Sequence, residues 1–266
     1  MSKVLPRGLT SYDVFKTVAL LLMLVDHVGY YFYPEELWFR VFGRMCVPIW
    51  FFLIGYARSR DIGPMMWAGM AVLVVSNIVV GMTVFPLNIL MTMICIRLII
   101  DRVGEHALGG QNQFWAINAL LFMTVLPSMM VVEYGTLGVI LALFGYYIRR
   151  SQDGDARVTS DLLLNHMAFA VMSFGIYQSI TFLFPKMEFI VMISGVSLML
   201  IALRFFRPIT FEGTDKGLAY IAATPLRLIG RHTLFLYVAH LLLFMALGLI
   251  FITDRFQFMK WEWIHL

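Results

Sequence analysis

The chain has 266 residues, 61% of them hydrophobic and only 14% charged, with a mean hydropathy of +0.83. An average soluble domain is about 45–50% apolar and about 25% charged, so there is too little charge here to coat a soluble fold. The net charge of +4 is small, and the basic residues, mostly Arg, gather near the ends of apolar runs, which speaks for bilayer anchoring and against nucleic-acid binding.

The opening MSKVLPRGLTSYDVFK does not read as a signal peptide. The apolar run after it begins late, contains Asp26 and His27, and lacks a small-residue cleavage pattern. It is expected to stay as the first span. In chain order the runs are Val14–Tyr33, Phe39–Tyr56, Met65–Phe85, Leu87–Ile100, Phe114–Val132, Gly135–Ile148, His166–Phe184, Phe189–Phe206 and Thr233–Ile252. A span needs about 20 mostly apolar residues, so the fourth and sixth are short. The sequence predicts a single-domain, all-α polytopic membrane protein with about nine transmembrane helices, within a range of roughly 8–10. RSRDIG, DRVGEHALGG and RRSQDGDARVTSD punctuate the runs as connectors. No internal repeat stands out.

Alternate connectors carry the positive charge: Lys3 and Arg7; Arg58 and Arg60; Arg102; Arg149, Arg150 and Arg157; then Arg207, Lys216, Arg227 and Arg231. The others hold Glu35 and Glu36, the uncharged TVFPL, Glu133, and the pair Lys186 and Glu188. Positive charge marks the inside, which predicts a cytoplasmic N-terminus and an outer C-terminus. Cys46 and Cys95 sit in apolar runs and read as small hydrophobes, with neither disulfide nor metal site expected.

Ionisable residues within spans are costly and mark function. The first span holds Lys16, Asp26 and His27. Eleven helical residues make nearly three turns, so Lys16 and His27 share a face ~16 Å apart along the axis. Adjacent Asp26 and His27 point about 100° apart, so each needs a partner from elsewhere. Arg40 and Arg44 share a face by their i, i+4 spacing. One can pair with Asp26 while the other stays free for an anion, or Arg40 can snorkel to the headgroups. Asn88 and Thr92 have the same spacing, suiting interhelical bonding or a pocket wall. In the last run Tyr237 and His240 are i, i+3 neighbours, and His240 lies deep enough to suggest function. His106, His166, His232 and His265 read as interfacial, and Asn118, Asn165 and Gln178 as packing glue. Read from composition alone, Asp26, His27, His240 and Glu133 also fit a proton or ion relay in a transporter or channel.

The ordered segments LTSYDVFKTVALLLMLVDHVGYYF, RVFGRMCVPIWFFLIGYA, NILMTM, EYGTLGVILALFGYYIRR and LFLYVAH resemble the TraX family, membrane proteins named for acetylation of conjugative pilin. Lys16 and His27 with ten residues between them, and the ending GRHTLFLYVAH, are also similar to signatures of the wider membrane acyltransferase superfamily. The stretch from Leu162 to Lys216 matches no such segment. The resemblance implies that residues 1–266 form one integral membrane acyltransferase-like domain in the bacterial inner membrane. It implies acetyl-CoA as donor, arriving from the cytoplasm. The acceptor would be an amine or hydroxyl of a pilin N-terminus, a glycan or a lipid-linked sugar. His27 is then the candidate base, acting directly or through an acetyl-imidazole, with Asp26 tuning or anchoring through Arg44 or His240. Lys16, Arg40, Arg44 and Arg97 are candidates for donor phosphates or a buried ion-pair network. Asn88, Thr92 and Tyr237 would line the pocket or polarise the carbonyl.

Overall fold

The computed structural model describes residues 6–263, so Lys3 and His265 lie outside the described residues. Those residues are helical throughout, without a β-sheet. The helices are α1 (Ser11–Phe32), α2 (Leu37–Arg44), α3 (Val47–Tyr56), α4 (Pro64–Val79), α5 (Ile89–Ala107) and α6 (Gln111–Met123). They continue as α7 (Val125–Met129), α8 (Gly135–Gln152), α9 (Ser160–Phe182), α10 (Lys186–Arg204), α11 (Gly217–Arg231) and α12 (Thr233–Phe251).

Among the described residues, four stretches are long and apolar enough to cross a membrane: Ser11–Phe32, Leu37–Tyr56, Lys186–Arg204 and Thr233–Phe251. The other expected runs differ for local reasons. α4 has only 16 residues, or ~24 Å of helix against a hydrocarbon core of ~30 Å. Phe114–Val132 divides at Thr124, with Pro127 in the short α7. Phe39–Tyr56 kinks at Met45 and Cys46, where Pro48 in the first turn of α3 suits a new helix start. α8 runs past Ile148 to Gln152 and takes in Arg149 and Arg150. Residues 207–232, expected as a connector, hold α11, whose Leu218, Ile221 and Leu228 are exposed while Arg227 is buried.

α8 sits at the centre, packed by α3, α5, α6 and α9. Residues Leu137 to Arg149 are buried without a break. Small residues allow this. A Cβ on Gly55 would lie 1.8 Å from the Ala142 carbonyl oxygen, and one on Gly145 would lie 2.1 Å from that of Phe52. α3 and α8 therefore touch backbone to backbone, as small residues permit in membrane helices.

α1 packs between α2, α11 and α12. Thr10 and Asp13 cap its start reciprocally. At its other end the C-terminal tail folds back. Arg255 donates to the Tyr30 carbonyl at 2.6 Å, and Phe256 stacks on Tyr31 while touching Gly248 of α12. Gln257 and Met259 donate backbone bonds to Val80 and Val79 at the end of α4. At the opposite end of the bundle, ion pairs tie the connectors together: Arg58–Asp153, Arg60–Asp101, and Arg150 and Arg157 with Glu105 and Asp155.

Candidate functional site

Two cavities enter the bundle from opposite ends. The first, of about 170 Å³, is lined by the C-terminal half of α1 with α2, the end of α4, the start of α5, Glu133 and α12. The second, of about 290 Å³, is lined by Tyr12 and Lys16 near the start of α1, the end of α3, Arg97 of α5 and the first turn of α12. Met23, Trp50, Ile89 and Tyr237 line both and form the wall between them.

His27 and His240 meet at the first cavity. His27 Nδ1 lies 2.7 Å from His240 Nε2, with the rings stacked at 5.0 Å. His240 Nδ1 lies 2.8 Å from the Leu236 carbonyl, which only accepts, so Nδ1 carries the proton. In the neutral ring His240 Nε2 is then an acceptor, and His27 Nδ1 must donate to it. This leaves the lone pair of His27 on Nε2. The tautomer follows from proton counting along Leu236, His240 and His27. Tyr237 stands beside both rings, its centroid 6.2 Å from that of His27 and 5.7 Å from that of His240.

Asp26 is buried and holds both arginines. Arg40 bonds its carboxylate at 2.9 Å and its backbone carbonyl at 3.0 Å, and Arg44 Nε lies 3.4 Å from Oδ1. Close approach of α1 and α2 makes this possible, since a Cβ on Gly43 would fall 2.2 Å from the Asp26 Cβ. Arg44 also donates to the Tyr134 hydroxyl, and the Phe182 ring covers both guanidinium groups at 5.0 and 4.7 Å.

Several expectations are corrected by this geometry. The partner of His240 is His27 and not Asp26. Neither arginine is left free for an anion, and Arg40 turns inward and does not snorkel. Lys16 shares a helix face with His27 but opens onto the other cavity, together with Arg97. Those two cations lie close enough to interact, with the carboxylates of Asp13 and Asp61 also within electrostatic reach, and among the described residues neither makes an ion pair. Arg97 donates instead to the carbonyls of Ser59 and Asp61. Asn88 lines the first cavity but stands outside the helix as the cap of α5, accepting from Leu90 and donating to the Met70 carbonyl. Thr92 is buried and donates to the Glu133 carbonyl, so it holds backbone and lines neither cavity. His166 is not interfacial. It is fully buried, with Nε2 on the Ile140 carbonyl and its ring edge-on to Tyr147.

Sequence reasoning gave no place in the site to Tyr30, Asn77 or Tyr134, and placed Glu133 only in a rival relay. All four line the first cavity. They fall at helix ends, where periodicity carries no signal. Gly135, opening an apolar run after Glu133 and Tyr134, was the available hint, because glycine at a helix start marks a turn. Tyr134 has φ 64° and Gly135 φ 44°.

The family model described as "TraX protein" matches residues 11–247, from the first residue of α1 to near the end of α12. The chain belongs to the TraX family. A curated protein of Rickettsia prowazekii (strain Madrid E), described as uncharacterized, is 39% identical over 54 residues, which is 20% of this chain and 22% of that protein. The chain thus spans only about a fifth of that relative's length. No solved structure matches it. The TraX match encloses Lys16, Asp26, His27, Arg40, Arg44, Asn88, Thr92, Arg97, Tyr237 and His240, so every candidate drawn from the sequence lies within the family's own extent. The family is associated with pilin acetylation, which points to a transferase.

Proposed function

We propose that this TraX-family chain is a single-domain acetyltransferase of the bacterial inner membrane, with about nine segments in the bilayer and a cytoplasmic N-terminus. It takes acetyl from cytoplasmic acetyl-CoA and passes it to an amine or hydroxyl of an envelope acceptor, such as a pilin N-terminus or a glycan. One observation carries the reading. Two cavities from opposite ends of the bundle share a wall, and His27 lines the first of them with its ring 6.2 Å from that of Tyr237 in the wall.

The unpaired cations Lys16 and Arg97 suit the phosphates of the donor, and the apolar cavity behind them suits its thiol arm. The acceptor enters the first cavity. Its O–H or N–H proton passes to His27 Nε2 as its lone pair attacks the thioester carbonyl carbon. Tyr237, at the shared wall, stabilises the developing oxyanion by a hydrogen bond from its hydroxyl and keeps its proton. The C–S bond then breaks, and the departing thiolate takes the proton from His27. His240 holds the ring of His27 in the required tautomer by accepting from Nδ1. Asp26, Arg40 and Arg44 brace α1 against α2 and take no part in proton transfer.

Purified protein incubated with radiolabelled acetyl-CoA should release or transfer label. His27→Ala should lower that rate by about 10²–10⁴-fold with the fold intact, the range for a positioned general base. Full activity in His27→Ala would overturn the assignment. Donor supplied to one face of sealed vesicles should work only from the cytoplasmic face. A relay for ions is disfavoured, because Asp26 is locked between two arginines.

A further inference from the structure

The first cavity holds two carboxylates, and they stand in different conditions. Asp26 is hydrogen-bonded by Arg40 and ion-paired with Arg44. Glu133 is partly buried, and among the described residues no Lys, Arg or His makes an ion pair with it. Its backbone is nonetheless firmly placed. Its N–H donates to the Leu87 carbonyl at 2.9 Å, Thr92 donates to its carbonyl, and the two residues after it both take left-handed φ values. A tyrosine in that region is held there only by surrounding structure. The carboxyl itself interacts with the backbone N–H of Ile89, the first residue of α5. Unpaired amides at a helix start favour an anion. The chain thus anchors the backbone of a cavity-lining glutamate and gives its carboxylate no ion pair among the described residues, although the Arg44 and Arg40 guanidinium groups stand near enough to act on it.

Proton counting supplies a use. A hydroxyl acceptor loses one proton in becoming an ester, and His27 can pass that proton to the departing thiolate. An ammonium acceptor loses two in becoming an amide. The first must leave before nitrogen can attack, and the second goes to the thiolate. His27 has room for one proton only, because Nδ1 is committed to His240. An amine acceptor therefore needs a second proton station.

We propose that Glu133 binds the ammonium group of an amine acceptor and takes its first proton. This rests on the acetyl-transfer reading. The steps balance. R–NH₃⁺ and the Glu133 carboxylate become R–NH₂ and the carboxylic acid, both neutral, as a cavity of low dielectric favours. The amine attacks the thioester carbonyl carbon, its second proton passes through His27 to the thiolate, and the C–S bond breaks. Glu133 then returns its proton to water. The charged and titratable groups around Glu133 are Arg44, Arg40, Asp26, Tyr31, Tyr134 and Tyr237, and both arginines are already engaged with Asp26.

The test uses the full-length protein with Glu133→Gln and the conservative Glu133→Asp. Glycinamide is the amine probe, N-acetylglycinamide its uncharged counterpart and glycerol the hydroxyl probe. Without donor, glycinamide should raise the melting temperature of the wild type and of Glu133→Asp but not of Glu133→Gln, and N-acetylglycinamide should raise none. With labelled acetyl-CoA, Glu133→Gln should lower kcat/KM for glycinamide by at least about tenfold near neutral pH, with recovery at alkaline pH where free amine abounds. Transfer to glycerol or water should fall by a much smaller factor than transfer to glycinamide. An equal glycinamide shift in wild type and Glu133→Gln, or an equal loss towards amine and hydroxyl, would overturn the proposal. If the wild type turns over no acetyl-CoA, the acetyl-transfer reading fails, and the donor-free shift alone decides the role of Glu133.

Discussion

At the His27 end of the bundle, Arg40 and Arg44 both bond Asp26 beneath the Phe182 ring. At the other end, Lys16 and Arg97 face an apolar cavity and form no ion pair. The sequence places all four among candidates for one anionic ligand, yet the fold gives them opposite duties. Buried charges bonded to each other fix helices and have little left for a ligand. Cations whose neighbouring carboxylates, Asp13 and Asp61, make no ion pair with them keep capacity for an anionic ligand. A direct ion pair to a carboxylate is what separates the two pairs.

Substitution at each end tests that contrast. The largest effect is expected from Asp26→Ala, which strands two buried guanidinium groups. Breaking one partner of a buried pair costs about 3–5 kcal/mol, so the melting temperature in detergent should fall steeply. A mild loss would mean the arginines find other partners. Lys16→Gln or Arg97→Gln should leave the melt almost unchanged and raise the KM for acetyl-CoA. A charge-assisted hydrogen bond is worth about 1.5–3 kcal/mol, so the increase should be about tenfold or more for each. If those variants destabilise the fold while KM holds, the cations are structural and the contrast collapses.

The smallest effect is expected on the rim beyond Lys16. Bonds from Arg157 and Arg150 hold the Asp155 carboxyl well below the usual carboxylate range. A carboxylate depressed in the fold adds stability above its unfolded pKa of about 4. That contribution is lost as pH falls through the lower folded value. Stability should therefore decline as the medium is acidified below roughly pH 4, and Asp155→Asn should flatten part of that decline. Thermal melts across acid pH measure the slope, and an unchanged slope would show the rim to be inert.

Much of this was legible in the sequence, for reasons tied to particular residues. Periodicity placed Arg40 and Arg44 on one face, and the helix angle denied Asp26 and His27 a common partner. Family-like segments ordered the chain correctly. The contact between His27 and His240 joins residues 213 positions apart, which no local pattern encodes. Glu133 and Tyr134 stand at a helix start, outside any repeating face. Hydropathy marks α8 as a weak span, whereas its apolar residues serve as the centre of the bundle. In α11 the buried Arg227 and the half-buried Arg231, bonded to carbonyls of residues 6–8, looked like loop charge.

The folded-back tail has a consequence for timing between helices. His27 and His240 ride on α1 and α12, and their 2.7 Å contact depends on how far each helix has slid along the other. One residue of slippage is ~1.5 Å of rise, enough to carry the two nitrogens out of hydrogen-bond reach. Phe256, seated between Tyr31 and Gly248, is a pawl that sets this register. A ring packed about one turn past His27 on α1 and about two turns past His240 on α12 thereby supports the contact that fixes the His27 tautomer.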